Sequence, residues 1–230
     1  MKTVLKISLF CFLTIFSCFG KQYRPCGKTQ TEFGSKRQKK KLFSCVGCEY
    51  FNGMEIDVPD FDLIQAAKTS HYRESSDMFK KLAKKYSFQV LHFDLAPMYL
   101  KWISSDIGYG VFAKQNISKD DFVGVYAGEL RLMRGVHDPV PEDVDYAWYY
   151  PINAPDGTRL LVDGKLKGNE LRFINHDEHP NTKCIDVLAN GRFYMCYIAT
   201  KNIAKNTQIT ISYGDGYWNS RKINPENFKS

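Results

Sequence analysis

Apolar and polar positions from Met98 onward alternate in short runs that turn residues separate, a pattern typical of a mainly β domain. One turn signal, Asn190-Gly191, lies between two apolar runs and indicates a tight hairpin. No internal repeat and no glycine-rich nucleotide-binding pattern accompanies these runs. The predicted strands are Met98–Ile103, Gly110–Ala113, Asp121–Tyr126, Leu160–Val162, Cys184–Leu188, Arg192–Ala199 and Gln208–Ile211.

One amphipathic helix is predicted ahead of the β domain, over Glu74–Phe88. Within it Phe79, Leu82 and Tyr86 recur at helical spacing, with lysines between them. An apolar stripe of this kind covers a core, and the lysines on the other side stay in water. We therefore expect the helix to pack on the β domain.

The first twenty residues resemble a signal peptide. Lys2 and Lys6 form a positively charged start, Ile7–Phe16 is mostly apolar, and small residues follow near a cleavage position. The apolar run is too short for an ordinary membrane span. The pattern predicts an exported protein without a stable membrane span, and the alternative is a cytoplasmic protein with a buried N-terminal helix.

The positive charge of the chain, +7 in total, is concentrated in its N-terminal half. A basic run contributes most of it, and such a run can attract nucleic acid or an anionic membrane. No aromatic residues interleave with these charges, which favours a solvated, flexible link over Lys21–Lys41 and at most weak nucleic-acid binding. The run consists of Lys36, Arg37, Lys39, Lys40 and Lys41.

Composition and the pattern of apolar and polar residues divide the chain into four predicted parts. Hydrophobic residues make up 43% and charged residues 25%, which is ordinary for a globular protein and excludes a disordered or fibrous chain. We expect a signal peptide at 1–20 and a basic linker with a small helical N-terminal region at 21–97. The β domain is expected at 98–218 and a C-terminal tail at 219–230.

Three cysteines near the N-terminus leave two interpretations open. Cys45 and Cys48 form a CxxC motif with Cys26 upstream, a spacing that suits either a metal clip or a disulfide. A structural zinc site needs four ligands, and His71 is a conceivable fourth. In an exported protein a disulfide is at least as plausible.

Four separated segments of the β domain carry the specific signal. They are IGYGVFA at 107–113, YAGE at 126–129, GNELRFINH at 168–176 and ISYGDGYW at 211–218. The most specific parts are the Arg-Phe-Ile-Asn-His block, followed by Pro180-Asn181, and the YG-x-x-YW pattern at the end. Together, in identity, order and spacing, the segments resemble the SET-domain protein methyltransferases, and the leader suggests a secreted bacterial member. The resemblance covers about Met98 to Trp218.

The resemblance implies the SET fold, with small curved sheets and a C-terminal pseudoknot, and S-adenosylmethionine as the cofactor. It implies that Gly108, Tyr109 and Gly110 contact the amino-acid end of the cofactor. Asn175 and His176 would contact that end and the adenine. Glycines suit this role because backbone without Cβ can approach a ligand closely. Trp218 would cover the adenine, and Tyr146 would line the cofactor or substrate channel.

The resemblance also implies a chemical role for two tyrosines. Tyr213 matches the tyrosine beside the transferring methyl group, where its hydroxyl orients the target amine, and Tyr126 lines the same channel. Arg172 and Glu129 are implied to brace the fold. A lysine amine must be neutral to attack, so we expect the site to lower the pKa of the lysine by desolvation.

Two departures from the family pattern limit the inference. Asp177 and Glu178 stand where a serine and a zinc-binding cysteine often occur, and no cysteine follows Cys196. We therefore expect no metal site of the family's C-terminal zinc-module type. Ile211 stands where some members carry the aromatic residue that tunes the number of methyl groups, so the degree of methylation is undetermined.

The predicted function is a protein-lysine N-methyltransferase acting on a histone or another basic protein. Export would make it an effector that works in the nucleus or cytoplasm of a host cell. The alternative is a non-catalytic module that binds the cofactor or a lysine peptide, and a third reading keeps the fold without the cofactor.

Overall fold

A computed structural model describes residues 31–59, 68–133 and 145–221. The predicted signal peptide, Cys26 and the end of the predicted tail lie outside the described residues. Within these ranges, no helix is both long and apolar enough to cross a membrane.

The structure has fourteen strands, four α-helices and one 3₁₀ helix, counted over the described ranges. The N-terminal part contains β1 (Glu32–Phe33), α1 (Lys36–Cys45), β2 (Glu49–Tyr50), β3 (Met54–Asp57), α2 (Ser70–Glu74) and α3 (Ser76–Leu91). The middle part contains β4 (Met98–Ser104), β5 (Gly108–Ala113), β6 (Phe122–Val125), β7 (Gly128–Leu132), β8 (Ala147–Asn153), β9 (Arg159–Asp163) and β10 (Lys167–Gly168). The last part contains the 3₁₀ helix (Glu170–Phe173), β11 (Asn175–His176), β12 (Thr182–Ala189), β13 (Arg192–Ala199), β14 (Gln208–Ile211) and α4 (Asp215–Arg221).

The largest sheet has five strands in the order β1-β4-β5-β14-β11. Strand β14 pairs antiparallel with β5 through Gln208 and Phe112, and parallel with β11 through Thr210 and Asn175. The late strand β14 thus lies between two strands from earlier in the chain. This arrangement brings the segments around residues 110, 175 and 211 side by side.

Three smaller sheets complete the fold. Their orders are β3-β7-β9-β8, β12-β13-β6 and β10-β2. The β12–β13 hairpin turns at Asn190 and Gly191, whose φ angles are 47° and 74°. Positive φ at both central residues is the requirement of a tight hairpin turn, and Asn-Gly meets it at low cost. The predicted hairpin is confirmed.

The helix predicted over Glu74–Phe88 is present as α3, with the short α2 ahead of it. Phe79, Tyr86 and Val90 of α3 are buried, because they recur on the side that packs on β12 and β6. The four lysines of α3 are exposed, as the pattern predicts.

The prediction of a flexible link over Lys21–Lys41 is wrong for its described part. Residues 32 and 33 form β1, which pairs with β4, and α1 begins at Lys36. Ser35 and Gln38 form a reciprocal capping box that satisfies free backbone N–H groups at the helix start. Leu42 and Phe43 are fully buried and anchor the helix. The sequence pattern did not predict α1, because the first part of the helix is charged and its large apolar residues, Leu42 and Phe43, come only near its end.

The N-terminal part also contributes strands to the sheets of the later chain. Besides β1, strand β2 pairs with β10 and β3 pairs with β7. Lys39 of α1 extends toward the core and places its Nζ 2.5 Å from Oε1 of Glu170, a carboxylate that is 1% exposed. The hydroxyl of Tyr50 donates to the same oxygen at 3.1 Å. These contacts join α1 and β2 to the 3₁₀ helix that precedes Asn175.

Candidate active site

The two glycines of the Gly-Tyr-Gly turn occupy positions that other residues would strain. Gly108 has φ of +82°, which L side chains rarely adopt. A Cβ on Gly110 would lie 2.7 Å from Cδ1 of Ile103 and 3.0 Å from Nδ2 of Asn175. The backbone at Gly110 can therefore sit this close to Asn175 only without a side chain.

Tyr109, between these glycines, points its ring into the core. The ring packs edge-on against Trp102 and Phe33 at centroid distances of 5.0 and 5.8 Å. Its carbonyl oxygen accepts a hydrogen bond from Nδ2 of Asn175 at 3.3 Å. The predicted cofactor turn is thus tied to the predicted Asn-His segment by backbone and side chain together.

His176 connects the Asn-His segment with the C-terminal segment. Its Nδ1 accepts a hydrogen bond from the backbone N–H of Tyr213 at 3.2 Å. Its ring packs edge-on against Trp218 at 4.8 Å. Burial lowers the pKa of His176, and Asp177 and Glu178 oppose this effect only in part. The ring is therefore held neutral, as an acceptor at Nδ1 requires.

Tyr213 lies at the centre of the site with its hydroxyl fixed in direction. The hydroxyl donates to the carbonyl oxygen of Ile174 at 2.8 Å. Burial first, and then the neighbouring Tyr217, Tyr146 and Tyr126, raise the pKa of Tyr213 far above its ordinary value. Tyr213 is therefore a neutral phenol near pH 7, suited to orienting a group and unsuited to acting as a base.

The C-terminal aromatic residues cover this tyrosine. Trp218 of α4 is 6% exposed and stacks on Tyr213 with ring centroids 6.0 Å apart. Tyr217 packs edge-on against both rings, at 4.7 Å from Tyr213 and 4.9 Å from Trp218. His176, Tyr213, Tyr217 and Trp218 form what we call the aromatic cluster. Tyr217 was not predicted, although the YG-x-x-YW pattern contains it.

Tyr126 and Tyr146 form a second pair of predicted residues. The Tyr126 hydroxyl donates to the carbonyl oxygen of Tyr146. Burial is the main cause that raises the pKa of Tyr126 far above its ordinary value. A Cβ on Gly164 would lie 2.7 Å from the Tyr126 hydroxyl, so the glycine leaves room for this phenol.

Arg172 packs its guanidinium over the ring of Tyr146. Its guanidinium lies 4.2 Å from the centroid of the Tyr146 ring, and its Nε donates to the carbonyl oxygen of Gly164 at 2.8 Å. Tyr146 has φ of +62°, a conformation that a bulky residue adopts only when its surroundings hold it there. The contacts of Arg172 are those of a bracing residue.

Two further aromatic residues near Tyr126 were missed by sequence reasoning. The hydroxyl of Tyr197 accepts a hydrogen bond from Nε1 of Trp148 at 2.8 Å, and its ring lies 6.2 Å from that of Tyr126. Trp148 belongs to the Asp-Tyr-Ala-Trp stretch that also supplies Tyr146, which was the available signal. Tyr197 lies in the largely apolar strand β13, where nothing in the sequence distinguishes it from a core residue.

The predicted site residues thus fall into two connected groups. One joins the Gly-Tyr-Gly turn with Asn175, His176, Tyr213 and Trp218 through direct contacts. The other is the Tyr126–Tyr146 pair, close enough to influence the pKa of Tyr213. Glu129, implied to be structural, lies in β7 between Glu55 of β3 and Asp163 of β9.

The two cysteines of the CxxC motif, Cys45 and Cys48, do not form a disulfide with each other. Cys45 is disulfide-bonded, whereas Cys48 is a buried free thiol whose pKa is raised by burial. His71, considered above as a fourth zinc ligand, instead has its Nε2 3.7 Å from a carboxylate oxygen of Asp186. Across residues 31–59, 68–133 and 145–221, no group of three His, Cys, Asp or Glu side chains could hold a metal ion.

Comparison with known proteins assigns the region that contains this site, apart from Tyr217 and Trp218, which lie just beyond its end. Residues 108–214 match the model of the SET domain. The mouse protein "Histone-lysine N-methyltransferase EHMT1" is 30% identical over 119 residues, which cover 50% of this chain and 9% of that protein. The Drosophila melanogaster protein "Histone-lysine N-methyltransferase ash1" is 25% identical over 132 residues, covering 57% and 6%. The chain thus spans less than a tenth of these relatives.

Solved structures show the same fold. The structure of ATXR5 in complex with histone H3.1 mono-methylated on R26 has a TM-score of 0.56 and 19% identity, covering 80% of this chain and 93% of that one. A second ATXR5 SET-domain structure, with histone H3 di-methylated on R26, has a TM-score of 0.56 and 20% identity over 80% and 92%. The recognition of the family and of its mainly β fold is confirmed: this chain carries a SET domain at residues 108–214.

Proposed function

We propose that this protein is a protein-lysine N-methyltransferase that uses S-adenosylmethionine. The observation that carries the proposal is the fixed, neutral hydroxyl of Tyr213, held by Ile174 beside the aromatic cluster in a SET domain. The curated relatives described above are named as histone-lysine N-methyltransferases. Their activity agrees with the chemistry that these side chains can perform.

The residues around Asn175 suit the cofactor. When bound, S-adenosylmethionine supplies an activated methyl group on a positively charged sulfur. Gly108 and Gly110 let the backbone approach its amino-acid end, and a neutral His176 beside Trp218 offers aromatic surface to the adenine. A cation near the Tyr213 ring and hydroxyl is also favourable, because both are electron-rich.

The tyrosines position the target amine and do not take its proton. Tyr213 and Tyr126 both have pKa values raised by burial, so neither is a base near pH 7. The lysine must lose its proton to water, and desolvation between the two phenols lowers its pKa and so favours that loss. Holding the amine in line with the methyl group then supplies much of the rate.

We infer that the substrate is a lysine of a histone or of another basic protein. The ATXR5 structures are complexes with histone H3, which supports a protein substrate by analogy of fold. We also propose that the protein is an exported effector that works in the nucleus or cytoplasm of a host cell. The signal-like residues 1–20 support export, and a secretion reporter fused to them that stays in the cytoplasm would refute it.

The proposal is tested by incubating the full chain with labelled S-adenosylmethionine and a panel of histones and lysate proteins. Transfer of label to protein supports the enzyme. Calorimetric binding of the cofactor without transfer to any protein favours the non-catalytic module, in line with the departures from the family pattern at Asp177 and Glu178. If the chain neither binds the cofactor nor transfers its methyl group, both the enzyme and the non-catalytic module are refuted.

A further inference from the structure

The outer side of α1 carries a row of positive charge that the fold holds rigid. Lys36, Arg37 and Lys40 are all exposed. Their helical positions fall within an arc of about 100°, on one side of the helix, since successive residues turn by about 100°. We call these three residues the α1 ridge. Within the described part of the chain, none of them forms an ion pair.

The helix is anchored so that the ridge cannot turn inward. Leu42 and Phe43 are fully buried, and the Phe43 ring packs edge-on against Phe173 at 5.2 Å. Lys39 lies outside the ridge, about 60° around the helix from Lys36, and is paired with Glu170. That pairing neutralises the buried Glu170 carboxylate, so Glu170 does not offset the charge of the ridge.

We propose that the α1 ridge is a docking surface for the phosphate backbone of duplex DNA. Three fixed cations without acidic neighbours on their own helix complement a dense polyanion. From Lys36 to Lys40 the helix rises about 6 Å, over which one DNA strand carries about two phosphates. The contact is to phosphate and is therefore independent of base sequence.

The composition of the helix favours DNA over a membrane. A helix that lies on an anionic membrane inserts an apolar face between the head groups. The two large apolar residues of α1, Leu42 and Phe43, are already buried in the protein. The ridge therefore offers charge alone, which suits phosphate oxygens in water.

The docking does not depend on methyl transfer and is tested by binding alone. The full chain is titrated into a short fluorescein-labelled DNA duplex, and the apparent affinity is followed between about 50 and 200 mM KCl. In a triple variant, Lys36→Gln, Arg37→Gln and Lys40→Gln remove the ridge. The slope of log affinity against log salt should become shallower by about 1.8, since the ridge spans about two phosphates and each phosphate contact contributes about 0.9.

The matched control removes the same charge from another exposed helix. Lys80→Gln, Lys81→Gln and Lys84→Gln in α3 leave the ridge intact, and this variant should keep the wild-type slope. Equal loss in both variants would mean that net charge alone attracts DNA, and would overturn the proposal. Absence of duplex binding, or binding only to phosphatidylserine vesicles, would overturn it as well. If the triple variant does not fold, Lys40→Gln alone should reduce the slope by about 0.9.

Discussion

The Tyr213 hydroxyl donates its hydrogen bond to the carbonyl oxygen of Ile174, two residues before His176, whose Nδ1 in turn accepts from the Tyr213 backbone. The phenol and the Asn-His segment therefore hold each other in place. A single tyrosine thus links the C-terminal segment to the region expected to bind the cofactor.

Replacing Tyr213 by Phe removes the hydroxyl and leaves the Ile174 carbonyl without this partner. We expect methyl transfer to fall by about 100-fold or more, because the amine is no longer oriented. Cofactor binding, measured by calorimetry, should change far less. Tyr149→Phe is the control, since the Tyr149 ring is exposed on β8. Equal activity of the Tyr213 variant and the control would contradict the assigned role.

Adding a methyl group at Gly110 should weaken cofactor binding. The new Cβ would press on Ile103 and on the Asn175 amide, and overpacking of this kind costs about 1–3 kcal/mol. If Asn175 moves, the affinity for S-adenosylmethionine falls, by about tenfold for each 1.4 kcal/mol. Calorimetry of Gly110→Ala is compared with Gly216→Ala, where nothing lies within 4 Å of the added Cβ. Unchanged affinity in the first variant would be inconsistent with the geometry.

The buried pair of Lys39 and Glu170 should dominate the attachment of α1. Lys39→Met leaves the Glu170 carboxylate buried without its cation, which typically costs about 3–5 kcal/mol of unfolding free energy. Adding Glu170→Gln should recover part of this loss, because the uncompensated charge disappears. Urea unfolding measures both variants, with the exposed Lys40→Met as control. A loss no larger for Lys39→Met than for the control would show that the pair contributes little.

His176 should make the protein less stable in mild acid. Burial lowers its pKa in the folded state, so below the ordinary value near 6.5 the unfolded chain binds more protons. Stability is therefore retained above that pH and falls as the pH drops below it. Urea unfolding between pH 8 and pH 5 should show a smaller decline for His176→Gln than for the wild type. Parallel pH profiles would rule out this role.

Local patterns explain which parts of the fold could be predicted. Strand β13 and the Asn190-Gly191 turn depend on neighbours in sequence, and both occur as predicted. Strands β7 and β8 were missed, because Gly128 and Pro151 lower the strand propensity of their segments. The helix α1 was missed because its charges hide its short apolar end.

Tertiary pairing explains what could not be predicted in the site. The motifs named the Tyr213 and Asn175 segments, and the structure places them side by side. The pair of Lys39 and Glu170 joins residues 131 positions apart, and no local pattern selects one lysine of a basic run. The bond from Trp148 to Tyr197 likewise depends on how two separate sheets pack.

Lysine methyl transfer by this protein is tested by tandem mass spectrometry of proteins incubated with the full chain and isotopically labelled S-adenosylmethionine. We expect labelled methyl groups on lysine side chains, present with the wild type and the Tyr149→Phe control and strongly reduced with Tyr213→Phe. Label on another residue type, or the same lysine label with all three proteins, would contradict it.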